Sequence, residues 1–334
     1  MLESSSVSVL RQSSILVTGG TGSFGKTFVR HMLDHLDPQR LVIFSRDELK
    51  QYEMRQMFHA DPRLHWVLGD VRDRDRLRYA MHGIDHVVHA AALKQVDTAE
   101  YQPFEFVKTN IDGAQNVIET AAEKGVRKVV ALSTDKASSP INLYGATKMV
   151  SDKLFTSANR AWARHGTLFS VVRYGNVMGS RGSVVPLFRK LASEGASLPI
   201  TDKRMTRFCI PLAQAAKFVV NCFDEMRGGE LFVPRIPSMK VTDLVEAIAP
   251  GCPNYEVGIR PGEKLHEEMI AREDSHRAFQ SKDRYVVVPT VGAEDYVPPE
   301  GSQPVPEGFA YRSNTNDLWL SVDELRALLD LDAV

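Results

Sequence analysis

The feature that most constrains this chain is an alternation of two kinds of segment. Short apolar runs, ILVTGG (15–20), LVIFSR (41–46), HWVLGDV (65–71), HVVHAAA (86–92), VVALST (129–134) and FSVVRYGNV (169–177), are separated by amphipathic stretches such as GKTFVRHMLDHL, DELKQYEMRQMF, AQNVIETAAEKG and YGATKMVSDKLFTSANRAWARHG. Continuous Val/Ile/Leu runs suit parallel strands buried on both faces. Their alternation with helices predicts an α/β fold, a Rossmann-type doubly wound parallel sheet. Beyond about residue 178 the regularity fades, and LPITDKRMTRF, RIPSMKVTDLVEAI and RPGEKLHEEMI read as a smaller C-terminal lobe. The expected division is a dinucleotide-binding domain over 1–178, with parts of 205–240 returning to it, and a region 179–334 that is mainly a substrate-binding lobe and tail. Ligands of open α/β sheets sit outside the carboxyl ends of the strands.

Composition removes several function classes. The 41 basic and 42 acidic residues nearly cancel, to a net charge of −1, and form no long same-sign cluster, so neither nucleic acid nor a membrane surface is an expected partner. Cys209, Cys222 and Cys252 fit no metal-ligand spacing and read as free thiols of a reducing cytoplasm; no metal site is expected. The N-terminal MLESSSVSVLRQSS lacks the apolar centre of a signal peptide, and no run approaches the roughly 18 apolar residues of a membrane span. A soluble, cytoplasmic protein is expected, with small molecules and copies of itself as partners.

ILVTGGTGSFGKTF places Gly19, Gly22 and Gly25 directly after a strand and at the opening of a helix. That is where a dinucleotide needs a tight turn, close backbone approach to its pyrophosphate, and helix amides aimed at the charge. The same glycines would also serve an ordinary tight turn. About 20 residues on, where an acid would bind the ribose 2′-hydroxyl of NAD, the second strand ends in Ser45-Arg46, with Lys50 one turn into the next helix. Those cations suit a 2′-phosphate and favour NADP; Asp47 and Glu48 argue mildly the other way, unless they act as helix cap and first-turn acid. Asp70-Val71, after the third strand, is placed to meet the adenine edge or to make a turn.

The segment ALSTDKASSPINLYGATK (131–148) concentrates Thr134, Asp135, Lys136, Tyr144 and Lys148. Tyr144 and Lys148, four apart, share a helical face. A phenol of ordinary pKa about 10 beside a lysine and a cationic nicotinamide would be drawn toward its phenolate, able to take a proton from a substrate alcohol. Thr134 would hydrogen-bond the same alcohol. The alternative is a solvated helix face. Oxidation alone leaves Asp135 and Lys136 without work. A ketone at C4 of a hexose acidifies C5, and a base and an acid can then eliminate the C6 hydroxyl as water. Lys136 as base must be neutral and Asp135 as acid protonated. Both reach one sugar only if the chain turns here, since neighbours in a strand face opposite ways; otherwise they are an exposed loop pair.

Taken together, GGTGSFG, SRDELKQ, GDVRD, HAAALKQV, STDKA with PINLYGATK, RYGNVMGSRGSVVP, ITDKRMTRF and RPGEKLHEEM resemble the extended short-chain dehydrogenase/reductases, and among them the inverting UDP-N-acetylglucosamine 4,6-dehydratases of pseudaminic acid biosynthesis. The resemblance runs from about 15 to 270 and is looser in the tail. It implies an NADP-dependent enzyme that oxidises UDP-GlcNAc at C4, removes water across C5 and C6, returns the hydride to C6 and reprotonates C5 from the opposite face. Retaining 4,6-dehydratases carry Asp-Glu where this chain has Asp135-Lys136, and related capsule enzymes often carry Met in place of Tyr144. Carried over by position, Gly19, Thr21, Gly22, Ser23 and Phe24 would cradle the pyrophosphate. Ala90, Lys94, Tyr144, Lys148 and Val177 would line the nicotinamide half; Asn176, Arg181, Thr201, Arg207, Arg260 and Glu263, with Lys94 and Lys136, would face the UDP-sugar. The resemblance also implies a homo-oligomer, commonly a hexamer. Two rival readings share the fold: a UDP-hexose 4-epimerase, which has no use for the Asp135-Lys136 pair, and a non-catalytic NADP-binding regulator, which typically lacks the Tyr or Lys.

Overall fold

A computed structural model of the chain describes residues 8–162, 165–179, 184–290 and 296–331. The apolar runs become strands β1 (Ser14–Thr18), β2 (Arg40–Ser45), β3 (Leu64–Leu68), β4 (His86–His89), β5 (Lys128–Thr134) and β6 (Leu168–Tyr174). They lie parallel in the order β3-β2-β1-β4-β5-β6. The order reverses between β1 and β4, the switch point at which doubly wound sheets open their ligand crevice. Every residue of β1 and β4 is buried, as strands covered by helices on both faces require.

The sheet continues past β6 with Leu231–Pro234, parallel to it, and then antiparallel with Arg284–Val287 and Ala278–Gln280 and the short Gln303–Pro304. The C-terminal half of the chain thus contributes strands to the large sheet as well as building the lobe. FSVVRYGNV is not one strand: it divides at Gly175, and Asn176–Met178 leaves β6 to pair with Thr206–Pro211, which also holds Ser238–Lys240. This small sheet carries the lobe, whose own apolar clusters centre on Met178, Met239, Leu244 and Leu325 and on Phe188, Leu198 and Ile200.

Two helices begin at ligand-facing strand ends. α1 (Ser23–His35) follows the glycine turn and buries Phe28, Val29 and Met32. α2 (Glu48–Met57) is capped by Asp47, whose carboxylate accepts the Lys50 amide at 3.0 Å, with Glu48 in its first turn, so these acids do serve the helix. The third glycine of the turn is fixed by packing: a Cβ on Gly25 would lie 2.2 Å from the carbonyl oxygen of Gly20. Gly25→Ala is therefore expected to push α1 off the turn, to cost about 1–3 kcal/mol, and to lose dinucleotide affinity; chemical denaturation and cofactor titration measure both.

Candidate active site

The chain segments leaving the carboxyl ends of the six parallel strands enclose one cavity of about 490 Å³. After β1 come Gly19, Thr21, Gly22, Ser23, Phe24 and Gly25; at the end of β2, Ser45, Arg46 and Lys50; after β3, Val71; after β4, Ala90 and Lys94; from β5 and the following helix, Thr134, Asp135, Lys136, Tyr144 and Lys148; after β6, Asn176 and Val177. Gly22 is exposed at the mouth of the turn and leaves room there for a pyrophosphate against backbone amides. The cavity fits a dinucleotide in both lining and chemistry.

Asp70 does not line it. Its carboxylate is engaged by Arg72 at 2.7 Å and by Arg46 at 3.5 Å, so it acts on the crevice by orienting Arg46. Although burial opposes it, hydrogen bonds from Arg72 and the charges of Arg46 and Arg72 hold Asp70 below the usual carboxylate range. Lys50 pairs with Asp47 at 2.5 Å.

A second cavity of about 370 Å³ opens toward the lobe and is lined by Thr201, Arg207, Arg260 and Glu263. Lys94, Lys136, Asn176 and Val177 line both cavities and mark their junction. Arg181 lies outside the described residues. One buried oxygen of Glu263 has no partner, while the other accepts from Arg260.

The turn that the sequence argument requires is present. β5 ends at Thr134, and Asp135–Ala137 form a single turn of 3₁₀ helix, with the Thr134 hydroxyl accepting the Lys136 amide at 3.4 Å. Asn142 then caps a long helix, Leu143–Ala161, accepting the Gly145 amide at 2.7 Å, and its own amide donates to Gly262 O at 2.7 Å. Lys264 Nζ donates to Ser138 O at 2.5 Å and Glu268 accepts from Ser138 and Ser139, so lobe residues 262–268 are laced to the turn. Tyr144, Lys148 and Asp152 recur at four-residue spacing on the buried face of the helix. Asp152 accepts from Ser133 Oγ at 2.7 Å and Arg173 at 2.9 Å, and Arg173 donates to Met269 O at 2.9 Å.

The ionisation of the cluster departs from the sequence expectation. Burial pushes the Tyr144 phenol up to about 12; the opposing influences are the Lys136 ammonium and the Thr134 hydroxyl, rather than Lys148 as the spacing suggests. Burial lowers Lys148, opposed by Asp152. Lys136 corrects the expectation of a neutral amine. Burial draws it down, but Asp135 at 3.1 Å and Glu267 at 3.3 Å more than offset this and hold it above the ordinary lysine value. The residues that sequence reasoning missed here are Glu267, Asp152 and Arg173. Glu267 sits in the quoted RPGEKLHEEM motif, but nothing in its spacing links it to Lys136 across 131 positions.

Comparison with known proteins agrees with this geometry. The family model described as "Polysaccharide biosynthesis protein" matches residues 15–289. The inverting UDP-N-acetylglucosamine 4,6-dehydratase of Campylobacter jejuni subsp. jejuni serotype O:2 is 52% identical over 330 residues, 96% of this chain and 98% of that protein. A UDP-glucose 4-epimerase of Rickettsia canadensis is 41% identical over 279 residues, 81% of this chain and 82% of that protein. Among solved structures, Pen from Bacillus thuringiensis superposes with a TM-score of 0.90 at 37% identity, covering 97% and 99% of the two chains. DesIV of Streptomyces venezuelae, a dTDP-glucose 4,6-dehydratase with NAD bound, gives 0.68 at 25% identity, covering 75% and 86%. With these matches and the cavity at its switch point, the chain belongs to the polysaccharide biosynthesis protein family, within the extended short-chain dehydrogenase/reductases.

Proposed function

We propose that this chain is an NADP-dependent, configuration-inverting 4,6-dehydratase that converts UDP-GlcNAc to UDP-2-acetamido-2,6-dideoxy-β-L-arabino-hexos-4-ulose, the first step of pseudaminic acid biosynthesis, and that it works in the cytoplasm as a homo-oligomer, a hexamer by family resemblance. The observation that carries the reading is the turn at Asp135–Ala137, which brings an acid and an amine into the cavity that already holds Thr134, Tyr144 and Lys148. In the same proposal 1–178 chiefly holds the cofactor and 179–334 chiefly the sugar nucleotide.

A bound nicotinamide dinucleotide supplies a reversible acceptor for the hydride of C4. Gly19, Thr21, Gly22, Ser23 and Phe24 would hold its pyrophosphate, and Ser45, Arg46 and Lys50 its ribose phosphate. Tyr144 takes the proton of the C4 hydroxyl, which Thr134 orients, and Lys148 holds the nicotinamide ribose. Asp135 and Lys136 manage the protons of the elimination. In the resting site the pair presents one proton acceptor, the carboxylate, and one donor, the ammonium, the complement that loss of water across C5 and C6 uses. Arg207 and Arg260 suit a diphosphate, because a planar guanidinium bonds two oxygens at once. A 4-epimerase, the activity named for the Rickettsia relative, needs Thr134, Tyr144 and Lys148 but leaves Asp135 and Lys136 idle.

Three outcomes are expected. Incubated with UDP-GlcNAc in deuterated water, the protein gives a new C6 methyl signal by NMR, deuterium at C5 and L-arabino couplings; UDP-GalNAc without a methyl signal means an epimerase, and no turnover with NADP bound means a regulator. Only the phenolate of Tyr144 accepts a proton, and its phenol sits near 12, so the rate of substrate oxidation rises up to tenfold per unit between about pH 7 and 10; Tyr144→Phe lowers it by about 10²–10⁴-fold. A flat profile removes Tyr144 as the base. Arg46→Ala weakens NADP by about 10–100-fold and leaves NAD nearly unchanged, measured by calorimetric titration of both.

A further inference from the structure

Glu267 belongs to the lobe, immediately before the strand Glu268–Ile270, yet its carboxylate lies beside the turn that follows β5. The residue is 2% exposed. Its Oε1 receives Lys136 Nζ at 3.3 Å and Arg207 Nε at 3.6 Å, while its buried Oε2 has no hydrogen-bond partner. Asp135 shows the same arrangement: Oδ1 meets Lys136 Nζ at 3.1 Å and Thr134 Oγ1 at 2.8 Å, and the buried Oδ2 is unpartnered. One ammonium is therefore held between two buried carboxylates, one from each half of the chain. A carboxylate this deep is expensive unless its neighbours compensate it, so Glu267 depends on Lys136 and Arg207 as much as they depend on it.

Building on the function proposed above, we propose that Glu267 is a positioning residue for the elimination step: it holds Lys136 in place and charged, acting through that lysine, when Asp135 alone would not. Asp135 is itself a participant. If it accepts a proton in the reaction, its attraction for Lys136 disappears, and without a second anion the ammonium would be freed to swing away or to lose its charge. Glu267 supplies that second anion from a different segment. The remaining charged or titratable neighbours of Lys136 are Arg207 and Lys264, which oppose its charge, and Tyr144, which favours it; Lys264 is itself drawn to Glu267, Glu268 and Asp135. Arg207 shares Glu267 with Lys136, so an anionic diphosphate that engages Arg207 leaves more of the Glu267 charge to the lysine.

The test reads Lys136 directly, in full-length protein carrying lysine labelled with carbon-13 at Cε, the Lys136 signal being identified by its loss in Lys136→Arg. In the wild type this signal is expected to keep its charged position to about pH 10.5 or beyond. In Glu267→Gln, which preserves size and removes charge, the midpoint is expected to fall by about one to three pH units. An unchanged midpoint in a variant that melts like the wild type overturns the proposal. If Glu267→Gln does not fold, Glu267→Asp replaces it. The shorter carboxylate, drawn back from Nζ, moves the midpoint the same way by less, and no movement there overturns the proposal as well. Because the titration needs no substrate, its failure is distinguishable from failure of the proposed reaction, which the wild-type NMR assay reports by itself.

Discussion

The arrangement rests on one close approach. The helix Leu143–Ala161 begins against the turn Asp135–Ala137, and a Cβ at Gly145 would stand 2.1 Å from the carbonyl oxygen of Lys136. Only a residue without a side chain lets these segments meet. The contact sets Tyr144 and Lys148 beside Thr134, Asp135 and Lys136, although the two groups belong to different elements. Asn142 fixes the same corner from the other side, capping the helix with its oxygen and holding the lobe at Gly262 with its amide. Local backbone geometry and the position of the lobe are thus set by neighbouring residues of one loop.

Charge is distributed around that corner in two tiers. Beneath the helix, Asp152 and Arg173 form a pair in which both side chains are almost inaccessible, at 7% and 6% exposure, and which is completed by Ser133 and the carbonyl of Met269. Pairs of this kind contribute less to stability than their Coulomb attraction suggests, because both ions are desolvated, but removal of either partner strands the other. Above it, Lys136 bridges Asp135 and Glu267 at the junction of the two cavities, with a quarter of its side chain exposed. The lower tier lies beneath the helix and the upper one at the junction of the two cavities, and each holds a buried polar atom without a hydrogen-bond partner: Arg173 Nε below, Asp135 Oδ2 and Glu267 Oε2 above.

Much of this was legible in the chain itself. Buried parallel strands write themselves as continuous apolar runs, which is why the starts of β1 to β6 follow from the sequence to within one residue and their ends to within three. The glycine turn, Ser45, Arg46 and the Thr134 to Lys148 block were legible for a related reason: each follows a strand on the side where such sheets bind ligands, so position along the chain stands in for position in space. The break at Gly175 was not, because a run of apolar residues carries no sign of which sheet its ends will join. The bonds of Asp70 to Arg72 and Arg46 were not legible either, because a turn aspartate carries no sign of the cation it will meet.

The sequence by itself determined the layered α/β architecture, the switch-point crevice and the chemical types gathered at it, since these depend on patterns repeated over a few residues. The ionisation of those groups depends as well on what tertiary structure buries and brings near them. Lys136 reads as a neutral base when burial and the charges of Lys148 and the nicotinamide are weighed; it is held charged by Asp135, its neighbour in sequence, and by Glu267, folded against it from 131 positions away. Electrostatic interaction falls off with distance through space and with burial, and neither is written in the order of residues.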